Sequence, residues 1–192
     1  MGMLILGLVI FLGVHSVRIV ADGWRTQVMA LRGEGLWKGL YAALSVLGFV
    51  LICWGYGLAR QQPVVLWSPP RAMNHVAALF TLLAFVLLAA TYVPRNHLKA
   101  RVHHPTVAGV KLWALAHLLA NGNLADVLLF GSFLAWAVLS FRAARQRDRA
   151  AGTTYPPGTA QGTVITVVVG AVAWAVFAFW AHGALIGVRP LG

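Results

Sequence analysis

The chain has 192 residues, of which 60% are hydrophobic and only 10% are charged. Because a soluble domain is nearer half apolar and a quarter charged, this composition places the protein in the membrane class. The formal net charge of +11 comes from short basic clusters between apolar runs, which favours membrane topology over nucleic-acid binding. The single cysteine, Cys53, excludes an intrachain disulfide.

Six apolar runs follow one another along the chain and predict an all-α bundle of six transmembrane helices. The runs are Met3–Val20, Trp37–Ala59, Met73–Val93, Thr106–Ala120, Leu124–Phe141 and Thr163–Val188. Most have the length of about 20 residues that a hydrocarbon core of about 30 Å requires. The fourth run is shorter, at about 15 residues or roughly 22 Å, so the count becomes five if this run is re-entrant. The first run lacks a basic flank and a small-residue cleavage site, so we expect a retained helix.

The lysines and arginines fall on alternate loops, which predicts the orientation of the helices. The loops after the first, third and fifth runs hold twelve of the fifteen: Arg18, Arg25, Arg32, Lys38, Arg95, Lys99, Arg101, Lys111, Arg142, Arg145, Arg147 and Arg149. The opposite side holds Arg60, Arg71 and Arg189. Since cytoplasmic loops carry the excess of Lys and Arg, both termini are expected on the non-cytoplasmic side. A five-span arrangement puts the arginines of the fifth loop on the wrong side.

Two polar segments interrupt the second half of the chain. Asn121-Gly122-Asn123 predicts a tight turn in which Asn123 caps the following helix and Asp126 stands three residues on. Arg142–Gly162 is the only linker-like stretch, and its Pro156-Pro157-Gly158 breaks any continuing helix. With no internal repeat, residues 1–192 are expected to form one membrane-embedded domain.

Common catalytic motifs are missing from this sequence. The acidic residues lie at predicted helix ends or in loops, and no two have the spacing of a paired-carboxylate site. They are Asp22, Glu34, Asp126 and Asp148. There is no Gly-rich phosphate loop, no C-x-x-C and no H-E-x-x-H. Hydrolytic or nucleotide-driven chemistry therefore has no support in the sequence.

Four histidines lie in the predicted spans or at their ends: His15, His75, His117 and His182. An ionisable side chain inside a bilayer is costly and is a functional candidate by default. The alternative for each is an interhelical hydrogen bond, which contributes about 0.6 kcal/mol on average.

Two of these histidines have suggestive neighbours at helical spacing. Gly109, Trp113 and His117 share one helix face, and small and flat residues beside a histidine leave room for a large planar group. Alternatively, Gly109 only permits close packing of helices. His15 has Arg18 on roughly the same face. That arginine can pair with a ligand carboxylate or extend to lipid phosphate.

Several segments resemble the NnrU family of bacterial membrane proteins, and the resemblance covers nearly the whole chain. They are VHSVR (14–18), GEGLWKGLY (33–41), HPTVAGVKLWALAHLLANG (104–122) and ADVLLFGSFLAW (125–136). The family is associated with denitrification and nitric-oxide response. It is also similar to the 15-cis-ζ-carotene isomerase, a membrane enzyme that binds haem b through histidine. The resemblance implies His15 and His117 as axial haem ligands.

The isomerase-like pattern has a cysteine three residues before its second histidine, where this chain has Ala114. The resemblance therefore implies haem binding, and it leaves open whether the protein is an isomerase or an enzyme at all. The segment HPTVAG is also similar to the R-H-P-x-Y-x-G motif of membrane methyltransferases that use S-adenosylmethionine. That similarity implies His104 as a cofactor-binding residue. His103 replaces the motif's arginine, Val107 replaces its tyrosine, and only Asp148 stands in for a glutamate-rich segment.

These observations lead to one hypothesis and two rivals. The hypothesis is a multi-pass protein of the bacterial inner membrane that holds haem b between its first and fourth helices, with a redox or isomerase-like role. Arg18 or Lys111 meets the propionates, and Trp113 packs on the macrocycle. By helical rise, His15 lies about 7 Å and His117 about 16 Å from the cytoplasmic ends of their helices, so His75 and His182 are kept as alternative ligands.

The expected partners are membrane lipid and either an apolar isoprenoid-like substrate or denitrification enzymes, without nucleic acid. One rival is a non-catalytic assembly or regulatory factor for denitrification enzymes. The other rival is the S-adenosylmethionine-dependent methyltransferase.

Overall fold

The computed structural model describes residues 1–191, and these residues are almost entirely helical. The helices are α1 (Gly2–Val20), α2 (Asp22–Arg32), α3 (Glu34–Gln61), α4 (Ala72–Tyr92), α5 (His97–Val102), α6 (Pro105–Ala120), α7 (Leu124–Ala151), α8 (Ala160–Val176) and α9 (His182–Ile186). A π-helical turn, Phe177–Ala181, joins α8 to α9. No β-strand longer than an isolated bridge occurs between residues 1 and 191. The all-α prediction is confirmed.

Five helical stretches are long and apolar enough to cross a membrane. They are α1, α3, α4, α7 and the continuous stretch from α8 to α9. The fourth predicted run forms α6, which has 16 residues and is shorter than these five stretches. A spanning helix needs about 20 apolar residues, so the chain is a multi-pass membrane protein with five long helices and one short one.

The turn between α6 and α7 has the predicted cap. Asn123 and Asp126 exchange hydrogen bonds as a capping box at the start of α7. The Gly122 carbonyl accepts from the backbone N–H of Leu66 at 2.8 Å, and a Cβ at Gly122 would overlap the Trp67 carbonyl. The α6–α7 turn and the α3–α4 loop therefore meet at one end of the molecule.

The predicted linker begins ten residues later than expected. α7 continues through the arginine-rich segment to Ala151 and ends at Gly152, whose φ of 60° is left-handed. Alanine, arginine and glutamine favour the helix, whereas glycine ends it readily. The linker prediction is therefore wrong for Arg142–Ala151. Two short helices, α2 and α5, were not predicted.

The helices pack in the order α3, α1, α7, α6, α4 and α8. α1 and α3 approach closely because glycines face the partner backbone: a Cβ at Gly7 would lie 2.6 Å from the Ile52 nitrogen. Small residues permit this approach in membranes. The buried core joins α1 to α7 and α6 through Leu4, Leu129 and Ala114.

The ends of α1 and α7 and the start of α6 lie together, and we call this part of the molecule the basic end. The Nη1 of Arg147 near the end of α7 donates to the Arg18 carbonyl in α1 at 3.0 Å. His104, which precedes α6, lies 2.8 Å from the Asp148 carboxylate in α7. The functional candidates described below are placed by their distance from this end.

Candidate functional site

His15 lies near the end of α1, half-buried among aromatic rings. Its Nδ1 is 2.6 Å from the Phe11 carbonyl, one turn earlier. Its ring stacks on Phe11 with a centroid distance of 4.2 Å, and the Tyr41 ring lies 5.0 Å away. Because a carbonyl can bind only a protonated nitrogen, this contact places the proton on Nδ1 and leaves the Nε2 lone pair for a ligand.

His117 has a similar local arrangement in the last turn of α6. Its Nδ1 lies 2.8 Å from the Trp113 carbonyl, and its ring stacks on Phe130 at 4.4 Å. The Trp113 ring is 5.3 Å away. His15 and His117 therefore have the same local arrangement. The Nδ1 of each is hydrogen-bonded to the backbone carbonyl four residues earlier.

The structure does not bring His15 and His117 together. Phe11 stacks on His15, and its centroid is 5.8 Å from that of Phe133. Phe133 in turn lies 5.5 Å from Trp113, whose ring contacts His117. The two histidines therefore stand at opposite ends of a row of aromatic rings, and no direct ring contact joins them within residues 1–191.

A cavity of about 670 Å³ opens at the basic end, within the range of about 300–1,000 Å³ that small-molecule sites occupy. Its walls come from the last turns of α1, from α2, from the first turns of α3, from the start of α6 and from the second half of α7. Three of the predicted residues border it: His15, Arg18 and His104. The other five do not: His75, Lys111, Trp113, His117 and His182.

The charges around this cavity are mainly positive. Arg25 lies 3.5 Å from Asp22, and Lys38 lies 2.9 Å from Glu34. Arg18 is 4.0 Å from Asp22, with 63% of its side chain exposed. Arg147 has no carboxylate within 4.0 Å among the described residues; it bonds the Arg18 carbonyl instead. Arg18 and Arg147 are thus the cations best placed to meet an anionic group.

Trp136 adds an unpartnered donor to the wall. Its indole ring meets His15 edge-on, with centroids 6.1 Å apart, and its Nε1 is buried without a hydrogen-bond partner. Buried donors without partners are rare and usually mark strain, a bound water or a ligand. No local pattern in the sequence indicates that Trp136 meets His15, because the two residues lie on different helices.

A polar cluster stands on the α6–α7 side of the cavity. The Nε2 of His104 lies 2.8 Å from Oδ2 of Asp148, and the Tyr155 hydroxyl donates to the same oxygen at 3.0 Å. His103 stacks on Tyr155 at 4.2 Å, and its Nδ1 accepts from Arg145 at 2.7 Å. Burial, together with the hydrogen bond and the charge of Asp148, raises the pKa of Tyr155.

Three other candidates have separate surroundings. The Lys111 ammonium lies 3.7 Å from the centre of the Phe141 ring, a cation–π contact. His182 places Nδ1 2.7 Å from the Val188 carbonyl. His75 is exposed at the start of α4. Within residues 1–191 there is no group of three or more His, Cys, Asp or Glu residues that could hold a metal ion; a haem iron needs only one or two protein ligands.

The sequence model of one family, described as NnrU protein, matches residues 3–190. The chain belongs to the NnrU family. The resemblance found in the sequence is confirmed over nearly the full length. No curated protein and no solved structure matches the chain.

Of the two histidines predicted as haem ligands, His15 has suitable surroundings for a haem and His117 does not share them. A histidine-ligated haem uses an imidazole with a free nitrogen, and cations near its two propionate carboxylates pair with them. His15, Arg18 and Arg147 supply these at the cavity wall. His117 lies beyond Phe133 and does not border the cavity. The donor set therefore suits a haem in the basic-end cavity rather than one held between α1 and α6.

Proposed function

We propose that this NnrU family protein binds haem b in the basic-end cavity, with His15 as a ligand of the iron. The observation that carries the proposal is the position of His15 on the cavity wall, with Nδ1 held by the Phe11 carbonyl. Such a second bond is typical of ligating histidines, because it fixes the ring and makes the other nitrogen more basic.

The cavity residues supply complementary parts of the haem site. Arg18 and Arg147 would balance the propionates, as guanidinium groups do for carboxylates. Trp37 and Trp136 offer flat apolar faces. The haem itself supplies one-electron chemistry when bound, and the axial ligand and the dry surroundings tune it. A redox role in nitric-oxide or denitrification metabolism follows from the family resemblance, as does isomerisation of an apolar substrate that enters from lipid.

The proposed orientation has six spans in the bacterial inner membrane, with both termini on the non-cytoplasmic side. The distribution of Lys and Arg supports this, since twelve of the fifteen fall on the loops of one side. The basic end, with the cavity, then faces the cytoplasm. Anionic groups of a ligand would sit at the headgroup level, and the apolar part would extend towards the membrane interior.

The test is a visible absorption spectrum of the purified protein supplied with haemin, oxidised and reduced. We expect a Soret band that His15→Ala abolishes and His117→Ala retains, with His75→Ala as a matched control on an exposed histidine. Loss in both His15→Ala and His117→Ala would restore the two-histidine arrangement and contradict the cavity site. A featureless spectrum of the unmodified protein would overturn haem binding and favour the assembly-factor role.

The second candidate is the methyltransferase, which the His104–Asp148 contact favours. The structure brings the histidine of the HPTVAG segment to the only acidic residue of the arginine-rich segment, and both border the cavity. Saturable S-adenosylmethionine binding that His104→Ala abolishes, in a protein without visible absorbance, would replace the haem proposal. No binding of the methyl donor would remove this candidate.

A further inference from the structure

We infer that His104 and Asp148 on the cavity wall form a proton-accepting site, which Tyr155 supports through its hydrogen bond to Asp148. The proposal rests on the cavity holding a ligand, as argued above, but it does not depend on iron. The ligand class is an amphiphile that carries a weakly acidic O–H group near the cations of the basic end. The site is distinct from His15, which lies on α1 across the cavity.

The first argument is the way in which His104 is held. The side chains of His104 and Asp148 are only 22% and 17% exposed, and the carboxylate oxygen lies 2.8 Å from Nε2. A carboxylate accepts a proton and cannot donate one when ionised. The contact therefore fixes the tautomer with its proton on Nε2. Nδ1 keeps its lone pair and has no hydrogen-bond partner within residues 1–191.

The second argument is the composition of the cluster. A histidine that is oriented by a carboxylate, with the remaining nitrogen free, is the arrangement by which imidazole acts as a general base. Tyr155 fixes the carboxylate from the other side through a 3.0 Å hydrogen bond. The three residues come from the start of α6, the end of α7 and the loop that follows. Their convergence, with His104 and Asp148 at the cavity, therefore does not result from the geometry of a single helix.

The third argument is charge. Arg147 and Arg18 border the same cavity and can stabilise an oxyanion that forms on the ligand. The other titratable or charged groups around the cluster and on the facing walls are His103, Arg145, His15, Arg25, Glu34, Lys38 and Tyr41. Positive groups outnumber negative ones in this set, which favours an anionic product of proton transfer.

The proton transfer itself is simple. The O–H bond of the ligand breaks, and its proton forms a bond with Nδ1 of His104. The oxygen keeps the electron pair, so the ligand becomes an anion beside the arginines. Asp148 stabilises the imidazolium, as the carboxylate does in related catalytic groups. Return of the proton to the product or to water regenerates neutral His104.

The proposal can be tested through the reactivity of Nδ1, without a known substrate. Diethyl pyrocarbonate carbethoxylates a histidine nitrogen that has a free lone pair, and peptide mass spectrometry reports the rate at each site. We expect His104 to react readily, and Asp148→Asn to slow it at least about threefold, because the nucleophile loses the carboxylate that raises its basicity. Asp22→Asn is the matched control, since Asp22 pairs with arginines on the opposite wall. His75, exposed on α4, is the internal reference.

The possible outcomes separate this proposal from haem binding. An inert His104, or a rate that Asp148→Asn leaves unchanged, would overturn the proton-accepting site even if the Soret band is present. A reactive His104 that depends on Asp148, in a protein that stays colourless with haemin, would support this site and overturn the haem. If Asp148→Asn fails to fold, Tyr155→Phe tests the same point. This variant removes the Tyr155 hydroxyl from Oδ2 of Asp148, so the carboxylate interacts more strongly with His104 and the rate of His104 carbethoxylation should rise. An unchanged rate would contradict the proposal.

Discussion

Tyr56 of α3 and Asp126 of α7 are joined by a side-chain hydrogen bond. The hydroxyl donates to Oδ1 of Asp126 at 2.5 Å, and Asp126 is only 3% exposed. Tyr56→Phe removes the donor and leaves a buried carboxylate oxygen unpaired, so we expect a loss of about 1–3 kcal/mol in the free energy of unfolding. Thermal unfolding in detergent measures this. Tyr92→Phe, at a residue that is 84% exposed, should have no effect; equal losses in both variants would refute the explanation.

Tyr155 gives a prediction about pH. Burial, and then the hydrogen bond to Asp148, raises its pKa above the ordinary value of about 10. A group whose pKa is raised by folding contributes stability that is complete below the unfolded value and disappears as the pH rises through the folded value. We therefore expect the protein to lose stability above about pH 10, and Tyr155→Phe to lose less over that interval. Ultraviolet titration of the phenolate should show a lower pKa in Asp148→Asn; an unchanged titration would contradict the contact.

The residues of the candidate site were predictable only where one helix carried the information. His15 and Arg18 share a helix face, and the sequence identified both. Trp136 and Tyr155 were missed because their partners lie on other elements, and no local pattern reports which helices are neighbours. His117 was placed with His15 by resemblance, but the structure puts aromatic rings between them. That separation depends on how α6 packs on α7, which helical periodicity does not reveal.

At the scale of elements, the close packing of α1 on α3 yields a matched pair of variants within one helix. A Cβ at Gly7 would lie 2.6 Å from the Ile52 nitrogen, whereas a Cβ at Gly13 meets nothing within 4 Å. We expect Gly7→Ala to force the helices apart and to cost about 1–3 kcal/mol. Gly13→Ala should be neutral or stabilising by about 0.5–1 kcal/mol. Thermal unfolding of both variants measures the difference. Equal melting temperatures would show that α1 and α3 are not closely packed at Gly7.

The positions of the long helices were predictable because each carries a sustained apolar run. The capping box at Asn123 was also predictable, since its two members are three residues apart. The short helices α2 and α5 were not: Trp24 of α2 packs on Trp37 of α3 at 5.7 Å, a tertiary contact, and α5 has only 6 residues. The end of the apolar run at Phe141 does not mark the end of α7, which continues through the arginine-rich segment to Ala151. Arginine and alanine are good helix formers, so the helix continues past the apolar run.

On the scale of the whole molecule, α6 joins the two ends of the bundle although it is short. Its start is held at the basic end by the His104–Asp148 contact. Its far end leads into Gly122, which bonds Leu66 in the α3–α4 loop. A helix of 16 residues covers about 24 Å, and α4 and α7 flank it. We therefore attribute the position of α6 between the two ends of the bundle to its packing against the longer helices α4 and α7, and not to its own length.

This connection predicts the membrane topology. If α6 crosses, the α3–α4 loop and the end of α7 lie on opposite sides; if it is re-entrant, they lie on the same side. The chain has one cysteine, Cys53, so a Cys53→Ser background permits single-cysteine labelling at Arg71→Cys and Arg149→Cys. With a membrane-impermeant thiol reagent on intact spheroplasts, we expect labelling at 71 alone, and at 149 only after permeabilisation. Labelling of both positions in intact spheroplasts would mean that α6 does not cross, and the basic-end cavity would then be divided between the two sides of the membrane.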